Sequence, residues 1–180
     1  MKAMIIPGND DTPITSNWYQ YVKNELEKLG LEVIAENMPD PKLARKEIWI
    51  PFIKEKISSD EDSILIGHSS GAAAILKFLE ESKCKLAIIV GAYYTDLGDE
   101  LEKKSGYFDE PWKWNQIKDN AKKIVIFASQ DDPYIPIEQA KFIKEKVNAE
   151  YHEYKDKGHF GADVNKKQFP ELVLVVKKAL

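Results

Sequence analysis

The chain has 180 residues, enough for one core, and its 43% apolar and 31% charged content is ordinary for a globular protein. A formal net charge of −4 argues against a nucleic-acid partner, because binding phosphates asks for a basic surface. The single cysteine, Cys84, permits no internal disulfide and no apolar run is long enough to span a bilayer, so the expectation is a cytoplasmic protein that does not bind membranes.

In chain order, the first apolar run is Ala3 to Ile6, which Pro7-Gly8 ends before it reaches the length of a signal sequence. Trp18, Val22, Leu26 and Leu29 then mark a helical stripe, with Gly30 as its C-terminal stop. Glu32 to Ala35 reads as the second strand. Asp40-Pro41 looks like a cap and first-turn proline, opening a helix through Ile48 that Pro51 breaks or kinks. Ser63 to Ile66 is the third strand, and a helix rich in small residues runs from Ala72 to Leu79. Leu86 to Val90 and Ile124 to Ala128 are further strands, and in the long connection between them Pro111 opens a helix carrying Trp114 and Ile117. Pro136 opens the next helix, with Ala140, Ile143 and Val147 on its apolar side. Glu150 to Tyr154 alternates, as an edge strand would, and a last helix carries Phe169, Leu172, Val173, Val176 and Leu180.

Most of these strands are continuous apolar runs, the mark of strands buried on both faces of a parallel sheet. Their alternation with helices gives an α/β class, as one domain over residues 1–180. Fold rules suggest six mostly parallel strands in the order 2-1-3-4-5-6 with helices on both faces. Ligands then bind at the switch point between the first and third strands.

The third strand runs into Gly67-His68-Ser69-Ser70-Gly71, a Gly-x-Ser-x-Gly sequence between a strand and a helix. That context is what a nucleophile elbow requires, with Ser69 as the nucleophile. The plain alternative is a tight turn with Ser70 as helix cap. A serine hydroxyl needs a base, and the base needs a third group to orient it. Of the three histidines, His68 is too close in sequence to turn back on Ser69, and His152 falls inside a strand. His159, in the loop Asp156-Lys157-Gly158-His159-Phe160-Gly161, is the best base. The acid belongs between serine and histidine in the chain. Either Asp131 or Asp132 fits, at the end of the fifth strand. Asp132 is favoured because Pro133 restricts it to an extended backbone. The oxyanion would be held by the Ser70 amide and by an amide of the loop after the first strand, Asn9 in preference to Gly8. Neither common phosphate-binding loop is present and the histidines lack metal-ligand spacing, so no cofactor or metal is expected.

Beyond the elbow, Ile6-Pro7-Gly8-Asn9, Asn37-Met38-Pro39-Asp40-Pro41, Asp96-Leu97-Gly98-Asp99-Glu100, Ser105-Gly106-Tyr107-Phe108, Pro111-Trp112-Lys113-Trp114, Asp131-Asp132-Pro133 and Gly158-His159-Phe160 occur in one collinear series. Together they resemble the small serine hydrolases typified by retinoblastoma-binding protein 9, over nearly the whole chain. The resemblance implies a compact α/β-hydrolase fold without a separate lid domain, and a triad of Ser69, Asp132 and His159. The member that gave the family its name carries a Leu-x-Cys-x-Glu segment associated with the retinoblastoma protein. Here that stretch is Ile57-Ser58-Ser59-Asp60-Glu61, so binding of that partner is not carried over.

The expected activity is therefore hydrolysis of a small-molecule acyl substrate through an acyl-enzyme. The substrate pocket is expected to draw on Gly8, His68, Trp112 and Phe160. The rival readings are a catalytically silent interaction module on the same fold, and acyl transfer to an acceptor other than water.

Overall fold

Apolar runs that do not alternate need cover on both faces, and the chain supplies it with helices. In the computed structural model, which describes residues 1–57 and 62–180, one six-stranded sheet has the order β2-β1-β3-β4-β5-β6. Its strands are β1 (Lys2–Ile6), β2 (Glu32–Ile34), β3 (Ile64–His68), β4 (Cys84–Val90), β5 (Ala121–Ser129) and β6 (Glu150–Tyr154). Every pairing is parallel. The expected order and the edge position of β6 both hold. In the register of β1 on β3, Ile5 pairs with Ile66 and Ile6 with Gly67, so the two strands end side by side at the reversal of strand order.

Successive strand residues feed opposite cores. Ala3 and Ile5 of β1 join Ile64 and Ile66 of β3 beneath α1 (Tyr19–Lys28) and α7 (Pro170–Ala179), where Val22, Leu26, Leu172 and Val176 are buried. Met4, Ile6 and Leu65 face the other core, built with α2 (Lys46–Lys56), α3 (Ser70–Phe78), α5 (Trp114–Asp119) and α6 (Ile137–Val147). Both cores are closed by large aromatics, Trp18, Tyr19 and Phe169 on one side and Trp49, Tyr93 and Tyr107 on the other.

Three local expectations need correction. Asp40 opens no helix. It sits at φ 48°, and its carboxylate takes the Arg45 guanidinium at 2.9 Å and the Arg45 amide at 3.1 Å. The helix then starts at Lys46. Pro51 does not end it; the residue is exposed, where water can serve the carbonyl that proline leaves without a donor. A further helix, α4 (Glu100–Ser105), lies in the long connection after β4. It is too short and polar to show an apolar period, but it is well capped. The Asp99 carboxylate accepts the amides of Leu101 and Glu102 at 2.7 and 3.1 Å, and Gly106 closes it at φ 76°.

The sequence stretch 57–61, compared above with a partner-binding segment, lies outside the described residues apart from Ile57. Among the described residues no helix is long and apolar enough to cross a membrane.

Candidate active site

β3 ends at His68 and α3 begins at Ser70, so Ser69 makes the turn alone. It does so at φ 56°, ψ −120°, a conformation that costs an L-residue about 1–3 kcal/mol. Main-chain bonds hold it there: the Ser69 amide donates to Val90 at 2.9 Å, and the Ser69 carbonyl accepts the Ala72 amide at 2.8 Å. The side chain lines a cleft of about 680 Å³ at the carboxyl ends of β1, β3 and β5, together with Gly8, Asn9, His68 and His159. The loop after β1 runs close beside the serine. A methyl on Gly8 would lie 3.2 Å from Ser69 Cβ.

His159 is carried by the loop between β6 and α7. Its Nδ1 is 2.7 Å from Asp132 Oδ2, and both side chains are nearly buried. The other oxygen of Asp132 accepts the amides of Tyr134 and Ile135 at 2.9 and 3.0 Å, so the carboxylate is fixed by its own loop. The neighbouring aspartate has a different task. Asp131 Oδ1 accepts the Ser129 hydroxyl at 2.6 Å and the Gly158 amide at 2.8 Å, and that hydroxyl and amide hold its carboxyl below the usual range. Asp131 thus ties the histidine loop to the end of β5, while Asp132 meets the ring. The bond to Asp132 leaves Nε2 of His159 as the nitrogen able to take a proton. Ser69 and His159 share the cleft, but among the described residues no hydrogen bond joins them.

Under the histidine loop lies His68, nearly buried at the edge of the cleft. Its Nε2 is 2.7 Å from the carbonyl oxygen of His159, and its Nδ1 is 2.6 Å from the Tyr19 hydroxyl. A carbonyl only accepts, so Nε2 carries the proton and Nδ1 accepts from Tyr19. Both ring positions are used by the neutral imidazole. Burial, followed by the nearby His159 charge, pushes its pKa down to about 3, and burial pushes Tyr19 up to about 12. Asp163 adds a second anchor, accepting the amides of His159 at 2.7 Å and Gly161 at 3.1 Å.

The opposite wall is polar. Asn9 Nδ2 donates to Glu102 Oε1 at 2.8 Å, Tyr93 donates to Glu102 Oε2 at 2.7 Å, and Ser70 Oγ is 3.0 Å from the Tyr93 hydroxyl. Burial holds the carboxyl of Glu102 above its usual range, and burial together with Glu102 raises Tyr93.

Two expected pocket residues lie elsewhere. Trp112 packs against the α2/α3/α6 core, stacks on Trp114 and donates its indole N–H to the Tyr94 carbonyl at 2.8 Å. Phe160 is fully buried among Phe169 and Tyr154 in the opposite core. The cleft is instead lined by Tyr93, Leu97, Leu101 and Glu102 from the β4–α5 connection and by Tyr134 and Ile135 beside Asp132. Sequence reasoning assigns neither Glu102 nor Asp163 to the site, whereas Tyr19 and Tyr93 belong to aromatic clusters of the kind that line such a pocket. Of the two acids only Asp163 left a local signal, a short acid four residues beyond the histidine in a glycine-containing loop. No group of three or more potential metal ligands is assembled among the described residues.

A sequence model of the serine hydrolase family matches residues 3–178. The chain is similar to serine hydrolase RBBP9 of Rattus norvegicus, at 42% identity over 99% of this chain and 95% of that protein. The crystal structure of the ydeN gene product of Bacillus subtilis superposes with a TM-score of 0.88 at 25% identity, covering 99% of this chain and 97% of the other. Est1E of Butyrivibrio proteoclasticus, solved with ferulic acid bound, shares the fold at a TM-score of 0.71 and 12% identity, over 98% of this chain and 86% of its own.

Proposed function

This chain belongs to the serine hydrolase family in which RBBP9 stands, and from that premise we propose that it cleaves small ester, thioester or amide bonds through a Ser69–His159–Asp132 triad. His159 Nε2 takes the Ser69 proton as the hydroxyl attacks the acyl carbonyl. The Ser70 and Asn9 amides hold the oxyanion. The protonated imidazole returns its proton to the leaving group, and water, activated by the same nitrogen, releases the acid from the acyl-enzyme. Asp132 keeps the ring oriented and stays ionised throughout.

The observation that carries this reading is the 2.7 Å bond between His159 Nδ1 and a carboxylate that its own loop already fixes, facing a cleft shared with a strained serine. Strain at one non-glycine residue and orientation of one imidazole are costs that a plain binding surface has no use for. The substrate class that fits is a small-molecule acyl compound, since a cleft of about 680 Å³ is within the ordinary range of small-molecule sites.

Hydrolysis of p-nitrophenyl acetate by the wild type and by Ser69→Ala tests this directly. Turnover is expected to drop by about a million-fold if the triad acts as a unit. Intact wild-type protein with no turnover would favour a silent module. Wild-type activity that survives Ser69→Ala would place the chemistry on another residue. Product analysis with a competing alcohol or amine separates hydrolysis from acyl transfer.

A further inference from the structure

We propose that Glu102 is a positioning residue for the oxyanion hole, joining its two walls through the side chains of Asn9 and Ser70. The proposal rests on the assignment of the Asn9 and Ser70 amides as oxyanion donors. These residues come from unconnected parts of the chain, the loop after β1 and the first turn of α3. One carboxylate from α4 spans them. Its Oε1 accepts from Asn9 Nδ2 at 2.8 Å, and its Oε2 accepts from Tyr93 at 2.7 Å. Tyr93 has a single hydroxyl proton, and giving it to Glu102 leaves the phenol oxygen to accept from Ser70 Oγ at 3.0 Å. The chain of donors therefore runs one way, from Ser70 through Tyr93 to Glu102.

Each end of this bridge is held from a second side. The Asn9 carbonyl accepts the Thr12 hydroxyl at 2.7 Å and the Thr12 amide at 3.2 Å, so residue Asn9, which lines the cleft, is restrained through both its carbonyl and its side chain. Glu102 sits in a short helix capped by Asp99, and the Ser105 hydroxyl bonds the Glu102 carbonyl at 2.6 Å. A mostly buried carboxylate is costly to keep where a neutral side chain could fill the space. Its negative charge also opposes an oxyanion nearby. Its benefit is consequently orientation, because both oxygens are engaged by groups that set the two amides. The oxyanion forms only in the transition state, so loss of this orientation falls on kcat and spares KM.

The test compares wild type, Glu102→Ala, Glu102→Gln and Tyr93→Phe with p-nitrophenyl acetate, with thermal melting as the check on folding. A fluorophosphonate probe on the wild type and on Ser69→Ala reports whether Ser69 is the nucleophile at all. Given Ser69-dependent labelling, Glu102→Ala is expected to lower kcat by roughly ten- to hundredfold with KM within about twofold, as for a catalytic group displaced by a fraction of an ångström. Glu102→Gln should recover most of that loss, since an amide offers an acceptor to Asn9 and a donor to Tyr93. Tyr93→Phe, which cuts only the Ser70 arm, should lose less than Glu102→Ala and carries the test if that variant does not fold. An unchanged kcat in folded Glu102→Ala or, failing that, in Tyr93→Phe overturns the proposal. So does a raised KM at constant kcat, which would make Glu102 a substrate contact. Absence of Ser69-dependent labelling in the wild type would instead overturn the triad on which the proposal rests.

Discussion

Gly71→Ala probes whether the elbow is packed as tightly as the site requires. Gly71 is the second residue of α3 and has an ordinary negative φ, so its backbone would accept alanine. By helix propensity alone the change should stabilise α3 by up to about 1 kcal/mol. Space decides otherwise. The new methyl would overlap the Ile6 carbonyl oxygen and lie 2.7 Å from the Pro7 oxygen and 2.9 Å from the Ile6 carbonyl carbon. These are main-chain atoms, which cannot rotate away. Normal carbon contacts begin at about 3.5 Å, so the start of α3 must retreat from the end of β1 by roughly 1 Å. Overpacking of this kind costs about 1–3 kcal/mol. Offset by the full helix gain, the net cost is about 0–2 kcal/mol, which lowers Tm by up to roughly 8 °C for a chain of this size. The same movement pulls the Ser70 amide away from the loop bearing Asn9, and a shift of about 1 Å at a catalytic group lowers kcat by up to roughly a hundredfold. Thermal melting and p-nitrophenyl acetate turnover measure the two effects. A Gly71→Ala protein that melts at or above the wild-type temperature with unchanged kcat would refute the packing account of the elbow.

Two other substitutions test the histidine loop. Asp132→Asn keeps the shape of the side chain but not the acceptor that fixes the His159 tautomer, so kcat should fall by about 10⁴-fold, whereas Asp131→Asn should mainly lower stability. Equal losses of kcat in the two variants would contradict the division of labour between the aspartates. His68 is held neutral, with its pKa down at about 3 against the usual 6.5. The unfolded chain therefore binds the extra proton between those values. The stability tied to a neutral His68 is complete above pH 6.5 and is lost as pH falls towards 3, with a slope of up to about 1.4 kcal/mol per pH unit. Urea unfolding at a series of pH values should show a shallower acid decline for His68→Gln than for wild type, and parallel curves would show that His68 is not the group responsible.

Much of the fold is legible in the sequence because its signals are local. Continuous apolar runs such as Leu86 to Val90 mark buried strands, and the alternation in Glu150 to Tyr154 marks the edge. The strand–turn–helix around Ser69 is equally plain, and the strained φ at that serine follows from it. Asp131 and Asp132 both fit the acid's place at the same strand end, and Pro133 tips the sequence reading to Asp132. The task of the other aspartate, a bond to the Gly158 amide, depends on the three-dimensional path of the histidine loop and has no local signal. Glu102 was illegible for a related reason. Glu102 bonds Asn9 across 93 positions, and nothing in a six-residue polar helix announces that reach. Trp112 and Phe160 misled because aromatic content near a site suggests a pocket, whereas the same large rings are what the two cores are built from. Asp40-Pro41 misled in the same way: a helix-start signature was outcompeted by an Asp40–Arg45 pair that stabilises a turn.

The central claim is that one serine is made nucleophilic by one oriented imidazole. Labelling the native protein with a fluorophosphonate probe, and locating the adduct by peptide mass spectrometry, tests it most directly. The account requires the phosphonyl group on Ser69, no labelling of Ser69→Ala, and greatly slowed labelling of His159→Ala. An adduct on any other residue, or labelling at an undiminished rate without His159, would contradict it.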